Sequence, residues 1–193
     1  MSDAGDVWGF DDGQTFLDPD DRVGLRQTWV TTRADLNIAE QANFRRALTR
    51  VGQPSAKTIL DDLWLRDLHR RMFGDVWGWA GRYRRTLTNL GVEPQLIAPQ
   101  VRGLVLDAGA WRDDPLTVAV RFHHRLVVVH PFVNGNGRHA RAVAATLSRA
   151  LDGPTLTWGL ELGDPSIARV RYLDVLRRAD AGDLEPLIGF STT

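Results

Sequence analysis

The stretch HPFVNGNGRHAR, His130 to Arg141, joins two apolar segments through a run that suits neither helix nor strand. Asn134-Gly135-Asn136-Gly137 is turn chemistry, and glycine there permits positive φ and close approach of the backbone to a ligand. From Arg138 to Leu151 the pattern becomes helical. Val143, Leu147, Ala150 and Leu151 are its expected buried stripe, and Gly153-Pro154 ends it. A glycine turn that opens a helix aims successive N–H groups and the positive end of the helix dipole at one point, which makes an anion site. Arg138 and Arg141 stand i, i+3 on the first turn, opposite Val143 and Leu147, so both guanidiniums are expected to face outward over the glycine loop. Two forks plus backbone donors suit a polyphosphate better than a single carboxylate. His130 closes the preceding segment, and an imidazole of ordinary pKa about 6.5 takes a proton at neutral pH. Phe132 reads as the apolar anchor of the loop. Each feature alone is common on protein surfaces. Their coincidence within one short stretch points to a site.

Working outward, PLTVAVRFHHRLVVVH (Pro115 to His130) is ambiguous. Val127-Val128-Val129 favours strand by propensity, but Val118, Phe122, Leu126 and Val129 follow helical spacing over a longer window, and length decides for a helix. Helices are also expected over Asp35–Val51, capped by Asp35, and over Thr58–Phe73, with Leu60, Leu63, Trp64, Leu68 and Met72 on one side. Two more are expected, over Gln100–Trp111 and over Pro165–Ala181, the latter with Ile167, Val170, Leu173, Leu176 and Ala179 in its stripe. Arg84 to Ala98 alternates weakly around Asn89-Leu90-Gly91 and reads as a short hairpin or flap. The chain is therefore mainly α.

Bulk properties set the frame. A chain of 193 residues with 43% hydrophobic content fits one domain with a sizeable core. Zero formal net charge gives no global field to draw in nucleic acid or anionic lipid, so neither is expected as a partner. The absence of cysteine removes disulfides, thiolate metal sites and thiol nucleophiles. No apolar run is long enough to span a bilayer and the first residues carry no basic-then-apolar signal pattern, so a cytoplasmic setting is expected. Lys57 is the only lysine, and arginine supplies nearly all the positive charge.

HPFVNGNGRHAR resembles the signature of the Fic/Doc family, which reads His-Pro-Phe-x-Asp/Glu-Gly-Asn-Gly-Arg-x-x-Arg. Trp79-Ala80-Gly81-Arg82-Tyr83-Arg84 is similar to the family's segment ahead of its target-docking flap. Tyr172-Leu173 through Gly182-Asp183 and Phe190 is similar to its terminal helix. The segments ADLNIAEQAN, LHRRMFGDVWGWAG and RFHHRLVVVHPFVNGNGRHAR together resemble the branch called mobile mystery protein B, a label of gene context on mobile elements. The resemblance implies an irregular N-terminal extension over residues 1–30 and a Fic domain over 31–193. That domain is expected to be a helical bundle with a short β-hairpin flap.

The family resemblance also implies transfer of AMP from ATP to a hydroxyl side chain of a target protein. By position, His130 is the implied general base. Gly135, Asn136 and Gly137 form the anion hole, Arg138 contacts the outer phosphates and Arg141 orients the γ-phosphate. The flap over 86–98 holds the target segment as an added strand, and a separate antitoxin or regulator is an implied partner in a toxin-like system. Two alternatives stand beside this. One is transfer of another phosphate-containing group, against which Gly135 and Gly137 speak. The other is a nucleotide-binding regulator with little or no transferase activity.

Two positions depart from the family pattern. Asn134 stands where the family's Asp or Glu holds Mg²⁺ between the phosphates. An amide removes a full negative charge beside a cation that leans on one or two carboxylates plus substrate phosphates. Either activity is retained with a greater demand for magnesium, or nucleotide binds without efficient transfer. LNIAEQAN (Leu36 to Asn43) is the candidate inhibitory helix, with Glu40 in the glutamate position, where the resemblance implies an ion pair with Arg141. Leu36 and Gln41 replace the family's Ser/Thr and Gly/Asn, and the competing reading of Glu40 is an exposed glutamate on an ordinary helix. His123 and His124 point about 100° apart on a helix, so they are expected in packing or surface roles. His139 is expected in solvent, and Trp77 and Trp79 in the core beside the flap.

Overall fold

The computed structural model describes residues 24–193. The first 23 residues of the expected 1–30 extension lie outside the described residues. Among the described residues the order is α1 (Arg33–Thr49), α2 (Ala56–Ile59), α3 (Asp62–Phe73), α4 (Pro94–Ala110), α5 (Pro115–Val129), α6 (Asn136–Ala150), a 3₁₀ turn (Leu160–Leu162), α7 (Pro165–Asp180) and α8 (Glu185–Ser191). Strand pairing among them is limited to one antiparallel bridge between Leu25 and Trp77. None of these helices is long and apolar enough to cross a membrane.

Short polar residues start α1, α2, α3, α5 and α7. Thr32, rather than Asp35, caps α1. Its hydroxyl accepts from the Asp35 N–H, and the Asp35 carboxylate accepts from the N–H of Thr32 in return. Hydrogen bonds to the charged form, from the N–H of Thr31 first and then from Thr32, hold the Asp35 carboxyl below its usual range. The single helix expected over 58–73 is broken in two because Asp61 takes an extended conformation and accepts from the N–H of Trp64, which restarts the helix as α3. Asp114 followed by Pro115 opens α5, and Asp164 followed by Pro165 opens α7.

The pair α5 and α6 is the centre of the bundle, with α3 and α4 packed beside it and α1 against α3. Val118, Phe122, Leu126 and Val129 of α5 and Val143 and Leu147 of α6 are buried, as their spacing required. Both of the other expected stripes hold in part. Leu68 and Met72 of α3 are buried as expected, but Leu63 is 69% exposed, and Leu65 and Phe73 are buried with them. In α7, Ile167 and Val170 are 56% and 70% exposed. The buried residues there are Tyr172, Val175 and Ala179, which pack with Leu187 and Phe190 of α8 against Val120. The period of 3.6 admits either stripe, and burying an aromatic ring gains more area than burying Ile167 and Val170.

The expected hairpin does not form. Residues 84–93 run as an irregular loop, and Pro94 to Ala98 already belong to α4, which proline opens at its first position. Carbonyl groups that a strand partner would satisfy are taken by a side chain: the Arg84 guanidinium donates to the carbonyls of Thr86, at 3.0 Å, and Val92.

Candidate functional site

Helix α5 ends in a left-handed turn at His130, with φ 52° and ψ 60°. Only glycine takes this conformation routinely, and other residues pay roughly 1–2 kcal/mol for it. The turn carries the chain into Pro131 and the buried Phe132, whose ring stacks on His69 at 3.7 Å. Asn136 then closes the loop on itself. Its Oδ1 accepts from the Phe132 N–H at 2.9 Å and its Nδ2 donates to the Phe132 carbonyl at 2.8 Å. Gly135 begins α6 at φ 79°, and a Cβ there would meet the Phe73 ring at 2.5 Å, so only glycine fits.

The cradle is narrower than its sequence suggested. The Gly135 N–H is already bound by Asn134 Oδ1 at 2.7 Å, and the Asn136 side chain serves the loop. Asn136, Gly137 and Arg138 are the first three residues of α6, where N–H groups lack intrahelical acceptors, so the backbone donors for an anion come from there. A Cβ at Gly137 would meet nothing closer than Tyr172 Oη at 3.7 Å, which leaves this edge of the cradle open.

The two arginines do not share an outward face; each is drawn to a different helix. Arg138 pairs with Glu40 of α1, and its guanidinium lies 4.8 Å from the centre of the Phe73 ring. Arg141 lies 4.8 Å from the centre of the Tyr172 ring in α7, and the Tyr172 hydroxyl is 2.9 Å from His123 Nε2. The ion pair implied between Glu40 and Arg141 is therefore formed with Arg138 instead. Glu40 is not an exposed glutamate: it is 3% exposed and also accepts from Trp77 Nε1 at 2.7 Å. Three residues apart on a helix is about 60° of rotation, enough to turn Arg138 to α1 and Arg141 to α7.

His130 is buried, and burial first, with the nearby Arg84 charge adding to it, holds its pKa down to about 4. The imidazole is thus neutral at pH 7. Its Nδ1 lies 3.3 Å from the Val127 carbonyl, which places the ring proton on Nδ1 and the acceptor lone pair on Nε2. His69 is fixed similarly. Its Nδ1 accepts from the Gly81 N–H at 3.0 Å, so Nε2–H donates to the Asn134 carbonyl at 3.0 Å. His139, expected in solvent, is 0% exposed, bound through Nε2 to the Leu65 carbonyl at 2.9 Å and packed edge-on against Phe132. His69 is not marked out by the sequence and His139 is misplaced by it, because one polar residue on a helix carries no sign of which face it takes.

Burial lowers the pKa of His69, His123, His130 and His139 alike. The unfolded chain therefore binds more protons than the native one below pH 6.5. Each such histidine costs about 1.4 kcal/mol of stability per pH unit as pH falls from about 6.5 toward its native value. The protein is expected to unfold cooperatively in mildly acid solution. Circular dichroism melts at stepped pH check this: a Tm unchanged from pH 7 to pH 4.5 would refute it.

A magnesium ion fits this donor set poorly. Both oxygens of Asn134 are engaged, one by Gly135 N–H and one by His69, and neither carries charge. The carboxylate that reaches Arg138, Glu40, is held by it and by Trp77. No group of three or more His, Asp or Glu among the described residues is arranged to hold a metal.

Fold and site together define a helical domain in which a glycine turn opens a helix beside a neutral imidazole. The chain belongs to the Fic/DOC family. The family model matches residues 59–148. The probable protein adenylyltransferase y4lH of Sinorhizobium fredii is 30% identical over 141 residues, covering 66% of this chain and 69% of that protein. The protein adenylyltransferase fic-1 of Caenorhabditis elegans is 31% identical over 132 residues, covering 64% of this chain and only 25% of the animal protein, so the match spans a quarter of that relative's length. In fold, the chain is similar to the BepC effector of Bartonella tribocorum solved with bound AMPPNP. The TM-score is 0.66 at 15% identity, covering 89% of this chain and 95% of that one.

Proposed function

We propose that this chain is a protein adenylyltransferase that moves AMP from ATP to a Ser, Thr or Tyr hydroxyl of a target protein. The observation that carries the reading is the left-handed turn at His130 set directly ahead of a helix opened by left-handed Gly135. This supports reading the imidazole as a neutral base beside a phosphate cradle. In this reading His130 Nε2 takes the proton of the target hydroxyl. The hydroxyl oxygen attacks the α-phosphorus, the bond to the β-phosphate breaks, and pyrophosphate leaves. The N–H groups of Asn136 and Gly137, with Arg138 and Arg141, hold the phosphates and absorb developing charge. The target segment lies along the loop 84–93, which offers backbone but no ready strand edge. Incubating the chain with ATP, magnesium and cell lysate is expected to add an AMP-sized mass increment to a protein target. No increment on any protein would refute the reading.

A second reading, a nucleotide-binding regulator, draws on the engaged, uncharged oxygens of Asn134. Asn134→Asp separates the two. A carboxylate there is expected to lower the magnesium concentration for half-maximal transfer about tenfold, the equivalent of one charge-assisted contact. An unchanged magnesium requirement would count against the transferase reading of this position.

A further inference from the structure

Arg84 is 3% exposed, and the acceptors that meet its guanidinium are backbone carbonyls rather than a carboxylate. Nε donates to the carbonyl of His130 at 2.8 Å, Nη1 to Thr86 at 3.0 Å and Nη2 to Val92. Its backbone N–H donates to the Pro131 carbonyl at 3.0 Å. One planar fork thus bridges the left-handed turn and both ends of the loop beside it. A buried charge is expensive, and a loop can be closed by neutral groups at less cost. A rigid guanidinium supplies what those cannot: donors at fixed angles to several carbonyls at once.

The other side of His130 is closed by the same loop. Gly91 has φ 95°, and a Cβ built there would lie 2.4 Å from His130 Cβ and 2.7 Å from Arg84 Nη2. The Val92 N–H donates to the Val129 carbonyl at 3.3 Å. The His130 carbonyl is therefore gripped by Arg84, while the loop at Gly91 passes so close to the His130 Cβ that a side chain there would collide with it. The direction of the imidazole from Cα is set from both sides.

We propose that Arg84 is a positioning residue for His130: it locks the left-handed turn that aims the imidazole and, with the same guanidinium, closes the 85–92 loop against it. The inference rests on the adenylyltransferase reading for its kinetic consequences and on geometry alone for its structural ones. A small displacement of a base costs on the order of 10- to 100-fold in rate. Arg84→Ala is expected to lower kcat by that factor and leave the KM for ATP unchanged. Millimolar guanidinium is expected to restore part of the kcat of Arg84→Ala and none of that of Arg84→Lys, whose stem fills the space without the fork.

The second readout is the imidazole ¹H–¹⁵N spectrum of the full chain, with the His130 signals assigned by their loss in His130→Asn. They are expected to shift in Arg84→Ala and in Arg84→Lys, and to return with guanidinium in the former. If Arg84→Ala does not fold, the Arg84→Lys spectrum decides. His130 signals identical to the wild type, a kcat equal to the wild type, or a loss confined to the KM for ATP would each overturn the proposal. A wild-type chain that transfers no AMP would overturn the adenylyltransferase reading instead, and the spectrum would still decide the role of Arg84.

Discussion

His130→Ala is expected to lower AMP transfer by roughly 10²–10⁴-fold, the range that a positioned general base contributes, while ATP still binds. The two effects separate because the proposed phosphate cradle draws on α6 and its arginines, whereas His130 terminates α5. Burial is part of the reason for a large effect. An imidazole whose pKa is held to about 4 is wholly neutral at pH 7, so every molecule carries the base in its competent form. The same depression makes it a weaker base, and the low-dielectric site has to offset this by stabilising the charge that develops. Alanine in a left-handed turn is itself strained by roughly 1–2 kcal/mol, so stability has to be measured alongside rate. His130→Asn is the cleaner comparison, because asparagine tolerates that conformation. Isothermal titration of ATP should give similar affinities for all three chains. Transfer by either variant at the wild-type rate would remove His130 from the chemistry.

Glu40→Gly is expected to act in the opposite direction, raising transfer and ATP affinity by roughly 10- to 100-fold. Arg138 gives part of its fork to Glu40 and so meets the outer phosphates less fully. Releasing it returns a charge-assisted contact of about 1.5–3 kcal/mol to the nucleotide. The removal also leaves Trp77 Nε1 without the carboxylate it now donates to at 2.7 Å. A stability loss of about 1–3 kcal/mol is therefore expected in the same variant. Glu40→Gln separates the two effects, since its amide oxygen keeps the Trp77 bond and gives up the charge. It is expected to gain most of the affinity with little loss of Tm. Unaltered transfer, both on a target and on the chain itself, would show that Glu40 only tethers α1 to the core.

The parts of the fold that were legible in the sequence are those with a local physical cause. The helix over 115–129 followed from its period and length, and the turn at 134–137 from glycine and asparagine. The parts that were not legible depend on which neighbour a residue meets. Arg84 replaces a strand partner for the loop carbonyls, and nothing in a sequence window announces that. Arg138 and Arg141 look equivalent as an i, i+3 pair until α1 and α7 claim one each. The stripe Ile167–Val170 fits the helical period as well as Tyr172–Val175–Ala179 does, and only the presence of α8 decides between them. His69, His123 and His139 are polar by type and buried by context. The family signature pointed to the candidate site, and the packing around it shows which of its side chains are engaged by neighbours.

The measurement that bears most directly on the account uses ATP labelled at one phosphate at a time. With wild-type chain and a responsive target, label placed on the α-phosphate is expected to reach the target covalently, and label on the γ-phosphate is expected to leave with pyrophosphate. The same incubation with His130→Asn is expected to leave the target unlabelled. Transfer of the γ-label, or α-label carried to the target by the His130→Asn chain, would contradict the account.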